Sequence, residues 1–328
     1  MLTLAVMVAA CGGNEKKELE KKGSSGKTLE ILLVADHEVY NGDVKDLIDS
    51  LFRGPQPGFM NNEPKFDVVN IPVSSFNNSE MFRVHRNVLK LDINPENPNK
   101  VYMHRDAWAA PQIVFDFAVK DRASLDTLLI KYYDRILQEV YRAEHARIIK
   151  AYNGQSGYEL RDAIRKQFGF DLAFSNEFRM ANVAHPSEDF AWVRKEAKDF
   201  SIGVLVKVMP YTQQGQFEEK FILDQLDTMM RQVGGPADSS YMGTERRMDF
   251  VTRPADMQQS SFSVETRGCW RLFGDFMGGP FVNYTLLSPD KKQVIMLCAY
   301  TYCPRFDKRD YLMQVESVCH SIAFEKEK

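Results

Sequence analysis

The sequence lacks a long apolar run. Its most apolar stretch of the N-terminus, residues 2–10 (Leu-Thr-Leu-Ala-Val-Met-Val-Ala-Ala), is less than half of the about 20 residues that a bilayer-spanning helix needs. It lacks a surplus of either charge. Lys and Arg number 42 and Asp and Glu 45, a formal net charge of -3, where a nucleic-acid binder normally carries a basic excess. It is poor in cysteine, with five residues. It also lacks the local signatures of catalysis and cofactor binding. No HExxH, paired CxxC or HxH spacing occurs, and neither GxSxG nor GxGxxG. What it does have is ordinary globular composition, 44% hydrophobic and 27% charged. A chain of this length usually divides into about two domains.

The uncharged run over residues 2–10 fits the apolar region of a secretory signal and leads straight into Cys11-Gly12-Gly13. Small residues before a cysteine look like a bacterial lipobox, in which the peptidase seats small side chains and the Cys11 thiol is acylated. No Lys or Arg precedes the run, so the basic end of the signal is expected upstream of Met1. Residues 14–27 are charged and then rich in Gly and Ser, with Leu19 as the one apolar residue. They predict a flexible tether that holds the body on the order of 20 Å from a membrane. The four residues Ser25-Gly26-Lys27-Thr28 look like the end of a phosphate loop, but Lys21 stands where its first Gly belongs and no strand precedes it.

Two folded regions follow, 28–155 and 156–328. In the first, apolar runs predict strands over Leu29–Ala35, Phe66–Ile71, Asn87–Ile93, Val101–Arg105 and Gln112–Val119. A short helix starts at Asp43, and a long one runs over Ser124–Tyr152. The long helix carries a stripe of Leu125, Leu128, Leu129, Tyr132, Ile136, Val140 and Ala143. Asn61-Asn62 and Phe76-Asn77-Asn78 read as loops. In the second region a helix over Tyr158–Phe168 precedes strands near Asp171–Phe174, Phe190–Lys195 and Ser201–Met209. Then come a helix over Phe217–Val233, strands over Ser261–Phe273, Phe281–Ser288 and Gln293–Tyr302, and a last helix capped by Asp307. Strands in runs with helices between them predict an α+β chain of two α/β-layered domains, with mostly antiparallel sheets and packed helices.

Four cysteines, Cys269, Cys298, Cys303 and Cys319, lie in the last 60 residues. Cys298 and Cys303 are five positions apart on one strand, about 16 Å, where a disulfide needs Cα atoms within about 7 Å. In a three-strand meander Cys269 is two strands from Cys298. The pair left open is Cys303 with Cys319, and the equal alternative is four buried free thiols. His37, His85 and His104 could converge with Asp36 at strand ends as a hydrolytic metal site, although no ligand spacing supports one. Ser288-Pro289-Asp290-Lys291 has SxxK spacing but reads as a hairpin turn. Around Glu265-Thr266-Arg267-Gly268-Cys269-Trp270 and Phe276-Met277-Gly278-Gly279-Pro280-Phe281 the residues Arg267, Trp270, Phe276, Met277 and Phe281 form a candidate binding surface. A packed hairpin is the competing reading, and alternation puts Trp270 on the face of Leu272, opposite Arg267 and Cys269.

Several stretches together carry a resemblance: Met81-Phe82-Arg83-Val84-His85-Arg86-Asn87, Trp108-Ala109-Ala110-Pro111-Gln112, Phe190-Ala191-Trp192-Val193-Arg194, Ser240-Tyr241-Met242-Gly243-Thr244-Glu245, Arg267-Gly268-Cys269-Trp270 and Gly278-Gly279-Pro280-Phe281-Val282. The chain resembles a domain-of-unknown-function family of Bacteroidetes-type envelope lipoproteins. The resemblance implies an envelope location and no assigned activity. The expectation is a lipoprotein held in a bacterial cell envelope through Cys11, facing the periplasm or the cell surface. It would bind or assemble with an unknown envelope protein or ligand, with no cofactor, no metal and no nucleic acid. The alternative is a periplasmic hydrolase, with metal assistance as one variant.

Overall fold

A computed structural model describes residues 21–59, 62–155, 157–183, 185–237 and 239–324. The apolar run and Cys11 lie outside the described residues. In the first half the elements are β1 (Glu30–Val34), α1 (Gly42–Phe52), β2 (Asp67–Ile71), α2 (Val73–Asn78), α3 (Glu80–Arg83), β3 (Asn87–Ile93), β4 (Lys100–Arg105), β5 (Ile113–Val119) and α4 (Arg122–Asn153). The strands form a mixed sheet in the order β2-β1-β3-β5-β4, parallel except for β4 against β5. Parallel neighbours need crossovers. Here α1 supplies one, and α2, where Phe76-Asn77-Asn78 was expected as a loop, supplies the next together with α3. Side chains of β1, β3 and β5 alternate between two cores. Ile31, Leu33, Leu89 and Phe115 face α1 and α4, while Leu32, Val34, Val88 and Val114 face Phe76 of α2.

The second half contains α5 (Tyr158–Phe168), β6 (Phe170–Asp171), β7 (Arg179–Met180), β8 (Phe190–Glu196), β9 (Ser201–Pro210), α6 (Glu219–Met230), β10 (Tyr241–Thr244), β11 (Val251–Pro254), β12 (Ser263–Phe273), β13 (Gly278–Leu287), β14 (Gln293–Tyr302), α7 (Arg309–His320) and β15 (Ala323–Phe324). Its main sheet is antiparallel, in the order β10-β12-β13-β14-β9-β8-β7, with β11 also on β12. Alternation along β14 decides both faces. Ile295, Leu297 and Ala299 meet α5 and α7, and Met296, Cys298 and Tyr300 meet α6. The chain is α+β in two layered halves, and antiparallel pairing dominates once both sheets are taken together. No helix among the described residues is long and apolar enough to cross a membrane.

Three expectations need correction. Residues 22–26 are not free tether. Ala110 N donates to Lys22 O, Ser25 N to Val84 O and Arg86 N to Ser25 O, each at 2.9 Å. Gly26 has φ +101°, and a Cβ there would meet His85 Nε2 at 2.4 Å, so only glycine lets the strip lie against the body. Asp307 does not cap α7. The Glu63 carboxylate, from the other half, accepts from Lys308 N at 2.7 Å and Arg309 N at 3.0 Å. Cys303 and Cys319 are both buried free thiols, as are Cys269 and Cys298. Cys303 precedes α7 and Cys319 ends it, so most of that helix, about 15 Å at 1.5 Å per residue, keeps them apart.

Candidate functional site

Of the five residues expected on a binding surface, three belong to the interior. Trp270 is 3% exposed and packs with Leu272 and Tyr300 against α6, and its indole donates to Thr301 O at 3.2 Å. Phe281 is fully buried in the same core, and Arg267 is buried on the opposite face of β12. Met277 packs against the core edge, and Phe276 alone is wholly exposed at the hairpin tip. Flanked by β10, β11 and β13, β12 turns Trp270 and Leu272 into the core beneath α6, and its other side, with Glu265 and Arg267, is open only to a cleft.

The histidine trio fails for a similar reason. His85 is buried, with Nε2 2.7 Å from Glu30 Oε1 and Nδ1 3.1 Å from Asn87 O. His37 and His104 are exposed, and no group of three His, Cys, Asp or Glu among the described residues is arranged to hold a metal. Ser288–Lys291 is a turn, as expected. Ser288 Oγ pairs with Asp290 Oδ1 at 2.6 Å, and Lys291 has φ 59°.

The structure instead brings residues together where the halves meet. The C-terminal part of α4 lies along α7 and faces β11 and β12. Between them opens a cleft of about 1090 Å³, lined among others by Tyr141, His145, Arg253, Arg267, Tyr284 and His320. Its floor is ionic. Arg267 Nε lies 2.7 Å from Glu265 Oε1, and Arg267 Nη2 lies 2.5 Å from Glu316 Oε1 of α7. Arg253 reaches the same Glu265 oxygen from the rim at 2.9 Å. Burial pushes the Glu265 carboxyl up, but Arg267 and Arg253 override it and hold the group at about 2. Glu316, which has less compensation, is raised by burial despite Arg267. Strand alternation produces this floor, because residues 265 and 267 share one side of β12.

Above the floor the rings of His145 and His320 stack at 4.0 Å between centroids, and Tyr284 meets His320 edge-on at 4.8 Å. Ser317 Oγ donates to Met313 O at 2.7 Å and lies 3.0 Å from His145 Nδ1. Burial, the neighbouring His320 and Arg267 push His145 well below the usual histidine range. Burial pushes His320 down to about 4, with Glu265 acting in the opposite direction and Arg267 in the same one. Both imidazoles are therefore neutral near pH 7. Tyr284 is raised by burial, Glu316 and Glu265 and keeps its phenolic proton. Such a cleft offers aromatic faces, neutral donors and acceptors, and a guanidinium rim of Arg253, Arg142 and Arg135. Its strongest charges neutralise one another.

Sequence reasoning singled out Arg267, and Glu265 in the stretch around it, but missed Tyr141, His145, Arg253, Tyr284, Glu316 and His320. The signal available was the acid–base pair two positions apart on a strand. The apolar stripe read on α4 stops at Ala143, two residues short of His145.

A family model described as a domain of unknown function, DUF4837, matches residues 158–321, half of the chain. The chain belongs to this family. A second model, DUF8532, also a domain of unknown function, matches residues 24–153. The DUF4837 segment contributes β11, β12, β13 and α7 to the cleft, and the DUF8532 segment contributes α4. No curated protein matches the chain.

Proposed function

We propose that this DUF4837 protein is a membrane-tethered binding protein of a bacterial envelope, lipidated at Cys11, whose ligand enters the cleft between its two halves. The cleft carries the reading. At about 1090 Å³ it is of the size that holds small molecules, and it combines aromatic walls with a few fixed polar groups. Its Glu265–Arg267–Glu316 floor is preorganised, so a ligand meets a rigid wall and not a collapsing one. The lipobox supplies the location, a Bacteroidetes-type envelope lipoprotein facing the periplasm or the cell surface. The metal-assisted variant of the hydrolase alternative finds no group of three His, Cys, Asp or Glu arranged to hold a metal among the described residues.

Native mass spectrometry of the protein isolated from its own envelope tests the binding reading. Ala146 is exposed on α4 and lines the cleft, so Ala146→Trp puts an indole in the ligand's way without disturbing a core. The expected result is a small-molecule adduct on the natural protein that is absent from Ala146→Trp. An adduct on both, or on neither, overturns the reading. Anchoring has its own test. Cys11→Ala is expected to move the protein from the membrane pellet to the soluble fraction, and a variant that still pellets after a high-salt wash refutes it.

A further inference from the structure

The point at which the N-terminal strip joins the body is marked by large exposed apolar side chains. Lys21 Nζ donates to Asp106 O, Lys22 pairs with Glu80 at 2.6 Å, and Ala110 N holds Lys22 O. These contacts place the strip between α3 and the 106–110 loop. Each of those two elements projects one bulky residue into solvent: Met81 of α3 is 66% exposed and Trp108 of the loop 41%. The two elements are tied together. Gln112 Nε2 donates to Arg83 O at 2.6 Å, and Gln112 Oε1 accepts from Trp108 N at 2.9 Å. Phe76, buried beneath, meets the indole edge-on at 5.5 Å and fixes its stance.

Chain length decides what this face meets. Nine residues, 12–20, lie between Cys11 and Lys21, ten Cα–Cα steps in all. Fully extended they span at most about 35 Å, and as a coil about 18 Å. The docking of residues 22–26 removes the rest of the expected tether, so the entry point is on a shorter lead than composition alone implies. With a lipid on Cys11, the face carrying the entry point is the part of the body nearest the bilayer. Its residue types, a Trp, a Met and two Lys, suit an interface of apolar and charged layers, where indoles are enriched.

We propose that this face lies on the membrane, with Trp108 and Met81 dipping into the headgroup region of the bilayer that holds Cys11. The inference rests on the lipid-anchor reading. Trp192 and Trp270, the other two tryptophans, are 6% and 3% exposed in the core, so Trp108 is the indole open to an external quencher.

The test uses the full lipidated chain reconstituted into vesicles of phosphatidylethanolamine and phosphatidylglycerol with brominated acyl chains. Flotation is read first and tryptophan fluorescence second. The expected result is a floating protein whose emission is quenched by the bromines, with the quenched component absent from Trp108→Phe. Circular dichroism confirms that Trp108→Phe is folded. A protein that floats with Trp108 unquenched overturns the membrane-apposed face and leaves the anchor standing, whatever else then covers the face. A protein that does not float refutes the anchor, and this face with it.

Discussion

Trp270 and Phe276 are six positions apart and stand at the two extremes of burial, so they make a matched pair. Trp270→Ala removes an indole enclosed by Leu272, Tyr300 and Thr301 and is expected to lower the unfolding free energy from denaturant titration by about 3–5 kcal/mol. Phe276→Ala is expected to stay within about 0.5 kcal/mol. The thiols give a second check. Denaturing the body without reductant should expose four titratable thiols, Cys269, Cys298, Cys303 and Cys319. In the native state they should react slowly, because burial shields them and pushes Cys269 up to about 11. The stacked histidines give a third. Their folded values lie below the unfolded value of about 6.5, so the unfolded chain binds more protons and stability falls as the pH drops below that value. The share from His320 levels off near pH 4. Urea unfolding at a series of pH values should show this slope, and the His145→Gln, His320→Gln double variant should flatten it. Glu265, Arg267, Tyr284 and Asp256 face the same pair and are unchanged in that variant. At this scale alternation was legible, since Leu272 and Trp270 do share a face. What lay beyond reach was that both faces of β12 are covered, a fact of the sheet and not of the strand.

At the scale of elements, α4 and α7 show how a helix can bury charge. In α4, Glu144 is fully buried, with Arg86 at 2.9 Å, Arg147 at 3.0 Å and Asn87 Nδ2 at 2.8 Å. Glu139, 1% exposed, gathers Arg105, Arg135 and Arg142. Glu144→Ala leaves Arg147 and Arg86 facing each other without their anion and is expected to cost about 3–5 kcal/mol. For α7, Glu63→Ala removes the acceptor of two N-terminal amides and is expected to cost about 1–2 kcal/mol. Chemical denaturation measures both, and Glu63→Gln should recover part of the loss. The long strands and long helices were readable from the sequence pattern, but the short β7, β10, β11 and β15 were not. The buried acids of α4 were not, because a glutamate beside arginines on a helix reads as a solvated ion pair until a partner element covers it. The short α2 and α3 were likewise hidden, because Phe76-Asn77-Asn78 has loop composition and its helix is held by packing of Phe76.

For the whole molecule, the junction matters more than either sheet. Ile148 packs against the cores of both halves. Arg309 reaches across to Asp67 at 2.9 Å and to Pro64 O at 3.1 Å. Thermal unfolding followed by far- and near-ultraviolet circular dichroism should therefore give one coincident transition. A fragment of residues 157–328, missing α4 and Glu63, should melt well below the intact chain. Two separate transitions in the intact chain would contradict a shared junction. The candidate site was illegible in the sequence for the same reason. Its residues come from positions 56 to 323, with Glu265 and Arg267 the one pair close in sequence that sequence reasoning singled out, and only the packing of α4 on α7 makes the rest neighbours.

That packing also imposes an order on events during synthesis. The helix α4 is complete once residue 153 has been made, but the partner that covers His145 and completes the cleft floor is α7, which begins only at Arg309. Until some 150 further residues have been added, the polar flank of α4 has no cover and the amides of α7 do not yet exist for Glu63 to hold. The first sheet can close on its own helices early. The cleft closes only when nearly the whole described chain has been released, so a stalled or truncated product would lack its floor and one wall.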